Sequence, residues 1–230
     1  MSFDTALRAT EILIALAFIQ QSAEHLKMPG DGRALFGLRI LACLVLLSGL
    51  ASFGALMALA AMSLLLLHRF QGPYNGGSDR MGILILWCLL FVHIAPSPFW
   101  QAAAFGYLAV QLSLSYFVSG WVKLLNPEWR SGRALQDVFQ FSTYPVSENL
   151  RRLYQRPELC WAMSWAVILF ELLLPIALAH PSLLIIALTI AALFHLANAC
   201  LFGLNRFIWI WLAAYPSLLW FQSLLFAAHN

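Results

Sequence analysis

Eight long apolar runs constrain this chain more than any other feature of its sequence. They extend from Leu7 to Ala23, Leu35 to Leu50, Ser52 to Leu67, Met81 to Ile94, Trp100 to Val122, Trp161 to Ala179, Leu183 to Phe202 and Phe207 to Ala228. Segments of this length and apolarity suit a hydrocarbon core that takes about 20 residues of helix to cross. Backbone amides in lipid must be satisfied within their own segment, so the runs read as helices. The alternation expected of a β-barrel is absent. Composition agrees: 62% of the residues are hydrophobic and 10% charged, and the mean hydropathy is +0.79. Soluble domains carry about 25% charged residues. The expected fold is therefore an all-α integral membrane protein, a bundle of about eight transmembrane helices, forming a single transmembrane domain over residues 1–230.

The punctuation between runs fits that count. Lys27-Met28-Pro29-Gly30-Asp31-Gly32 and Gly72-Pro73-Tyr74-Asn75-Gly76-Gly77-Ser78-Asp79 are turn-forming, and Pro96, Pro98 and Pro181 sit in short connections. With eight spans, one face collects Lys27, Arg33, Arg69, Arg80, Lys123, Arg130, Arg133, Arg151, Arg152, Arg156 and Arg206, while the other has only Arg8. The positive-inside rule then makes the basic face cytoplasmic and puts both termini outside the cell membrane. The net charge of +3 without a continuous basic stripe speaks against nucleic acid as a partner. Cys43, Cys88, Cys160 and Cys200 form no CxxC pair, so no metal site is expected. The first residues lack the basic region and short apolar core of a secretory signal, and Glu11 falls where that core would be.

One long connection exists, from Leu124 to Cys160. Within it Ala134, Leu135, Val138, Phe139 and Phe141 recur at near-helical spacing, and Ser147 is placed to cap a short helix carrying Leu150, Leu153 and Tyr154. Such helices either lie on the membrane surface or cover a cavity between the spans.

Ionisable groups inside apolar runs face a cavity or a partner, because a charge in lipid is costly. Glu171 stands amid apolar residues four positions before Pro175, whose ring loosens the helix at that carbonyl. It serves either as an interhelical ion pair, with Arg39 as one available partner, or as a proton-handling or ligand-binding group. His195 and Asn198 are three residues apart and share a helix face. They read as interhelical hydrogen bonders or as the wall of a cavity. Lys123 closes the fifth run. It is either a snorkelling lysine between the belt residues Trp121 and Trp129 or a base held in an apolar cavity. Glu11, Gln20, Gln21, Glu24, His25, Arg39 and His93 complete the polar set.

The stretch around that lysine, Tyr116-Phe117-Val118-Ser119-Gly120-Trp121-Val122-Lys123-Leu124, followed by Trp129 and Gly132, resembles the HTTM (horizontally transferred transmembrane) domain, a family that includes the vitamin K-dependent gamma-carboxylase. Asn75-Gly76-Gly77-Ser78-Asp79 and His195-x-x-Asn198 leading through Phe202-Gly203 to Phe207 are similar to further family motifs. The resemblance spans roughly Leu7 to Trp220. It implies an HTTM-like fold and a membrane-embedded, quinone-dependent modifying enzyme. In such an enzyme a lysine at the end of the matching span deprotonates a reduced, vitamin K hydroquinone-like quinone. Lys123 is the candidate base by the motif, and His93 matches the position of an assisting histidine. His195, Asn198 and Glu171 are the candidate cofactor-binding residues. The chain departs from the carboxylase in having nothing larger than the loop 124–160 to grip a protein substrate.

Three functions are therefore weighed. The first is a lyase- or oxidoreductase-like enzyme acting with a quinone on a peptide or protein. The second is a non-enzymatic accessory protein for maturation, export or immunity of a secreted peptide. The third is a proton-coupled transporter with Glu171 as the coupling carboxylate, although no internal repeat of the kind many transporters show is evident. Partners are the lipid bilayer, a peptide or protein substrate, or another membrane protein.

Overall fold

The computed structural model describes residues 1–27, 32–69, 76–142 and 147–227. The turn residues 28–31 and 72–75, among them the motif residue Asn75, lie outside these, as does the side chain of Arg69. Among the described residues every regular element is a helix: α1 (Phe3–Leu26), α2 (Arg33–Ser48), α3 (Ser52–Arg69), α4 (Gly76–Ile94), α5 (Pro98–Leu125), α6 (Pro127–Arg130), α7 (Arg133–Phe141), α8 (Glu148–Arg151), α9 (Pro157–Leu173), α10 (Pro181–Phe202) and α11 (Asn205–Ala227). A 3-10 turn, Arg152–Gln155, precedes α9, and another, Leu174–Ala179, follows it.

The eight longest helices fall on the eight apolar runs, but a count of eight membrane crossings does not follow. Among the described residues, five helices are long and apolar enough to span: α4, α5, α9 with its 3-10 extension to Ala179, α10 and α11. The reason is visible in the other three. α1 has the length but carries Arg8, Glu11, Gln20, Gln21 and Glu24. α2 and α3 have 16 and 18 residues, short of the ~20 that a bilayer core requires.

Local chemistry explains where the helices start and stop. Ser2 caps α1 by accepting from the Thr5 amide, and Asn126 caps α6 by accepting from Glu128. Pro157 and Pro181 open α9 and α10, where the missing N–H is harmless. Gly49 and Gly203 end α2 and α10 at φ +74° and +67°, the left-handed conformation that a glycine adopts without strain. Pro175 acts as expected: the α-helix gives way at Leu173 to a 3-10 turn.

The chain forms two compact units, Met1–Val110 with Arg206–Asn230, and Gln111–Asn205. The first is built on α1–α4, the first part of α5, and α11. Ile14, Leu56, Leu59, Ile85 and Leu89 are fully buried in it. Phe3, Phe105 and Trp220 form an aromatic cluster with centroids 5.2–5.7 Å apart, Phe3 edge-on to the other two. On α2, Leu38, Leu41 and Leu44 stay half or more exposed.

The second unit holds the rest of α5 and α6–α10. Its surface is just as apolar: Ile185, Ile186 and Leu193 on α10 are more than half exposed. The long connection is not a loose surface appendage. Leu135 and Phe139 of α7 bury against Cys160, with Leu153, Tyr154, Met163, Leu201 and Phe202 around them. Burial of each such side chain contributes roughly 1.5–3 kcal/mol. Ser147 caps α8 as its position suggests, accepting from the Leu150 amide at 3.4 Å, and Arg151 donates to the Ser142 carbonyl at 2.7 Å. The connection is thus folded onto the ends of α9 and α10.

Candidate functional site

The stripe of α5 that carries the site is set by helical spacing. Tyr116, Gly120 and Lys123 stand four and then three residues apart, so they share one face over two turns. Gly120 is there because α9 comes too close for a side chain. A Cβ at this position would lie 2.9 Å from the Leu172 amide nitrogen and 3.0 Å from Glu171 Cβ. That proximity delivers Glu171 to Lys123. The Lys123 Nζ donates to Glu171 Oε2 at 2.6 Å and Oε1 at 2.9 Å. The lysine side chain is 18% exposed and the glutamate 5%.

Glu171's partner is therefore Lys123, not Arg39, which belongs to the first unit. Snorkelling alone does not describe Lys123 either, since its ammonium forks onto both carboxylate oxygens. Charge-assisted bonds of this kind are about twice as strong as neutral ones. The Trp129 ring centroid lies 5.3 Å from Nζ, on the electron-rich side of a cation–π contact.

The residues after the lysine clamp this arrangement. Ser164 of α9 donates to the Trp129 carbonyl, and the Trp165 indole donates to the Arg130 carbonyl at 3.1 Å. Gly132, at φ +80°, permits a tighter approach than Gly120 does. Its Cβ would fall 2.6 Å from the backbone of Trp161. The Gly-x-x-Lys…Trp…Gly pattern thus has a mechanical meaning, with each glycine marking a contact between α9 and the α5–α7 backbone.

Two turns back along the same stripe, the Tyr116 hydroxyl hydrogen-bonds His195 Nε2 at 2.8 Å, deep in the unit. Tyr116 is 3% exposed and His195 4%. Phe170 packs edge-on to Tyr116 at 5.7 Å, and Phe194 lies 5.9 Å from Phe170 and 5.2 Å from His195. Asn198 is half-buried one turn after His195. Its carbonyl accepts from the Gly203 and Leu204 amides and so finishes α10.

Of the residues singled out from sequence, Lys123, Glu171, His195 and Asn198 lie in the second unit, the first two in direct contact. His93 lies in the first unit. There its Nε2 bonds Glu11 Oε1 at 2.8 Å, and Glu11 Oε2 accepts from Arg8 at 2.7 Å. Arg8 also donates to the Leu46 and Leu47 carbonyls at 2.9 and 2.6 Å, closing the end of α2. Arg8, Glu11 and His93 form a satisfied network tying α1, α2 and α4. Sequence reasoning missed Tyr116, although its position seven residues before Lys123 placed it on the same face. It also missed Glu11 as the partner of His93, which only the fold can pair across 82 positions.

Among the described residues, no group of three or more His, Cys, Asp and Glu residues is arranged to hold a metal ion. The four cysteines are free thiols. No curated protein and no solved structure matches the chain. A family model described as the HTTM domain matches residues 92–222, a segment that contains the whole Tyr116–Lys123 stripe, Glu171, His195 and Asn198. That match covers more than half of the chain, and with five apolar helices able to cross a bilayer it establishes that this membrane protein belongs to the HTTM domain family.

Proposed function

We propose that the chain is a membrane-embedded modifying enzyme in which Lys123 and Glu171 hold and release a proton beside a lipid-soluble quinone. The observation that carries this reading is the forked Lys123–Glu171 contact at 2.6 and 2.9 Å, placed on the α5 stripe that continues to the buried Tyr116–His195 pair. The pair shares one proton that can sit on Lys123 Nζ or on a Glu171 oxygen, which a base must allow. Glu171 is 5% exposed, which limits competition from bulk water at the carboxylate.

A reduced naphthoquinone-like group is the ligand this reading calls for. Phe170, Phe194 and Tyr116 offer flat aromatic faces for a planar ring. The Tyr116 hydroxyl and His195 imidazole offer polar atoms for a ring oxygen, and the proton acceptor is the Glu171 carboxylate, or Lys123 Nζ once its proton has passed to Glu171. Such a group would supply redox chemistry that no amino-acid side chain provides. Asn198 borders the same wall one turn along α10. His93 belongs to the first unit, where it is held by Glu11. The acceptor is a peptide or another membrane protein, since the chain carries little extramembrane structure beyond the connection 124–160. The basic residues of that connection set the proposed orientation, with this end at the cytoplasmic face of the cell membrane.

Arginine cannot give up its proton in a protein but keeps an ion pair, so Lys123→Arg separates chemistry from architecture. Small molecules extracted from the purified protein would be examined by ultraviolet spectroscopy and mass analysis. Consumption of an added reduced naphthoquinone in air would then be followed by absorbance. The expected result is a bound quinone in wild type and Lys123→Arg, with consumption falling at least 100-fold in the variant. Phospholipid alone in both extracts, or equal consumption, would reject the reading. A purely structural Lys123–Glu171 lock in an accessory protein would then account for the pair.

A further inference from the structure

The first unit contains a second polar centre, and almost all of it lies before the segment that the family model matches. A cavity of about 40 Å³ opens among α1–α4 and α11. Its polar lining is Gln21, His25, Arg39, Ser63, Asp79 and Arg206. Space of that size holds roughly three waters or one planar carboxylate group.

Arg39 is the anomaly in this lining. It is 3% exposed and stays charged. Its Cζ lies 3.9 Å over the Phe18 ring, which covers one face of the guanidinium. One Nη donates to Gln21 Oε1 at 2.9 Å. Among the described residues it has no carboxylate within ion-pair distance, and its Nε has no hydrogen-bond partner. Ser63, 6% exposed, has an unpartnered Oγ in the same lining. Buried polar atoms without partners are rare enough to mark a missing water or ion.

Among the described residues no other charge pairs with Arg39 at contact distance. Arg206 is engaged by His25 at 3.2 Å and Glu24 at 3.8 Å. Asp79 accepts from Gln21 at 3.2 Å, on the opposite end of the same amide that faces Arg39. It acts on Arg39 by charge from within the same lining, but forms no ion pair with it.

We infer that this cavity binds one carboxylate group, received by Arg39 Nε and Ser63 Oγ. A guanidinium edge matches the two oxygens of a carboxylate, and Phe36, Leu66 and Leu67 in the lining tolerate an alkyl chain behind it. The site does not depend on the quinone reading, because it shares no residue with the Lys123–Glu171 pair.

The test is the thermal midpoint of the full chain in detergent, titrated at constant ionic strength and pH with acetate, phosphate, oleate or chloride. Acetate and oleate should raise the midpoint above the chloride control. Arg39→Gln should abolish the rise, Ser63→Ala should increase the half-saturating concentration several-fold, and Lys123→Arg should leave it unchanged. A 100-fold or greater preference for oleate identifies the carboxylate as an amphiphile's head; similar potencies identify a free small acid. If Arg39→Gln does not fold, Ser63→Leu, which fills the cavity, should abolish the response instead. No shift beyond chloride, a stronger response to phosphate, or a response that survives both substitutions would overturn the inference and leave a cavity that holds water.

Discussion

Lys123, partly buried, and Arg39, fully buried, are both cations among apolar helices, and the protein deals with them in opposite ways. Lys123 meets a carboxylate on a neighbouring helix, forked at 2.6 and 2.9 Å. Arg39 meets an amide oxygen and an aromatic ring and keeps an unpartnered Nε. The contrast teaches that burial alone does not say what a charge is for. A pair that satisfies itself can lock two helices or shuttle a proton between its own members, whereas a charge left partly unanswered has capacity for something from outside.

The strongest way to break the comparison is to strand one member of the pair. Glu171→Leu leaves the Lys123 ammonium without a counter-charge and should cost about 3 kcal/mol, the lower end for a broken buried pair because the lysine retains some solvent. Adding Lys123→Met should restore most of that loss, as paired replacement by apolar residues is close to neutral. Denaturant unfolding in mixed micelles measures both.

A smaller effect is expected from the backbone approach that makes the pair possible. Gly120→Ala places a methyl 2.9–3.0 Å from Leu172 and Glu171 and should cost about 2 kcal/mol, in the range for overpacking. Gly106→Ala, on the same helix, meets Phe221 at an ordinary 3.5 Å. There the helix should gain about 0.5 kcal/mol from losing a glycine. Equal effects at the two positions would mean that α5 and α9 can part without penalty.

A similarly small change should come from Arg39. Arg39→Met removes a buried charge that, among the described residues, has no ion-paired carboxylate to strand, so stability should shift by less than about 1 kcal/mol. A loss as large as that of Glu171→Leu would show that Arg39 is held by more than Gln21 and Phe18.

How much of this was legible beforehand depends on the range of the interaction concerned. Lys123, Gly120, Trp129 and Gly132 were readable as a motif because they act within 13 residues of chain, and Tyr116 was readable in principle by the same periodicity. The weakness of the α9 helix after Glu171 followed from Pro175 alone. The partner of Glu171 was not legible: Arg39 was an acceptable candidate on charge, and nothing local distinguished it from a lysine 48 positions away. Nor was the number of crossings, since α1 interleaves Arg8, Glu11 and Glu24 with apolar residues that sequence windows still read as a span.

By itself, the sequence determined that this chain is helical, apolar on nearly every surface and built for lipid. Those properties follow from backbone hydrogen bonding and transfer free energy, which act residue by residue and need no knowledge of neighbours. Only the tertiary structure decided which charges meet: Lys123 with Glu171, His93 with Glu11, and Arg39, among the described residues, with no carboxylate in ion-pair distance. A contact between helices depends on the small residues that let backbones approach and on register along two axes at once. Neither quantity is encoded at any single position.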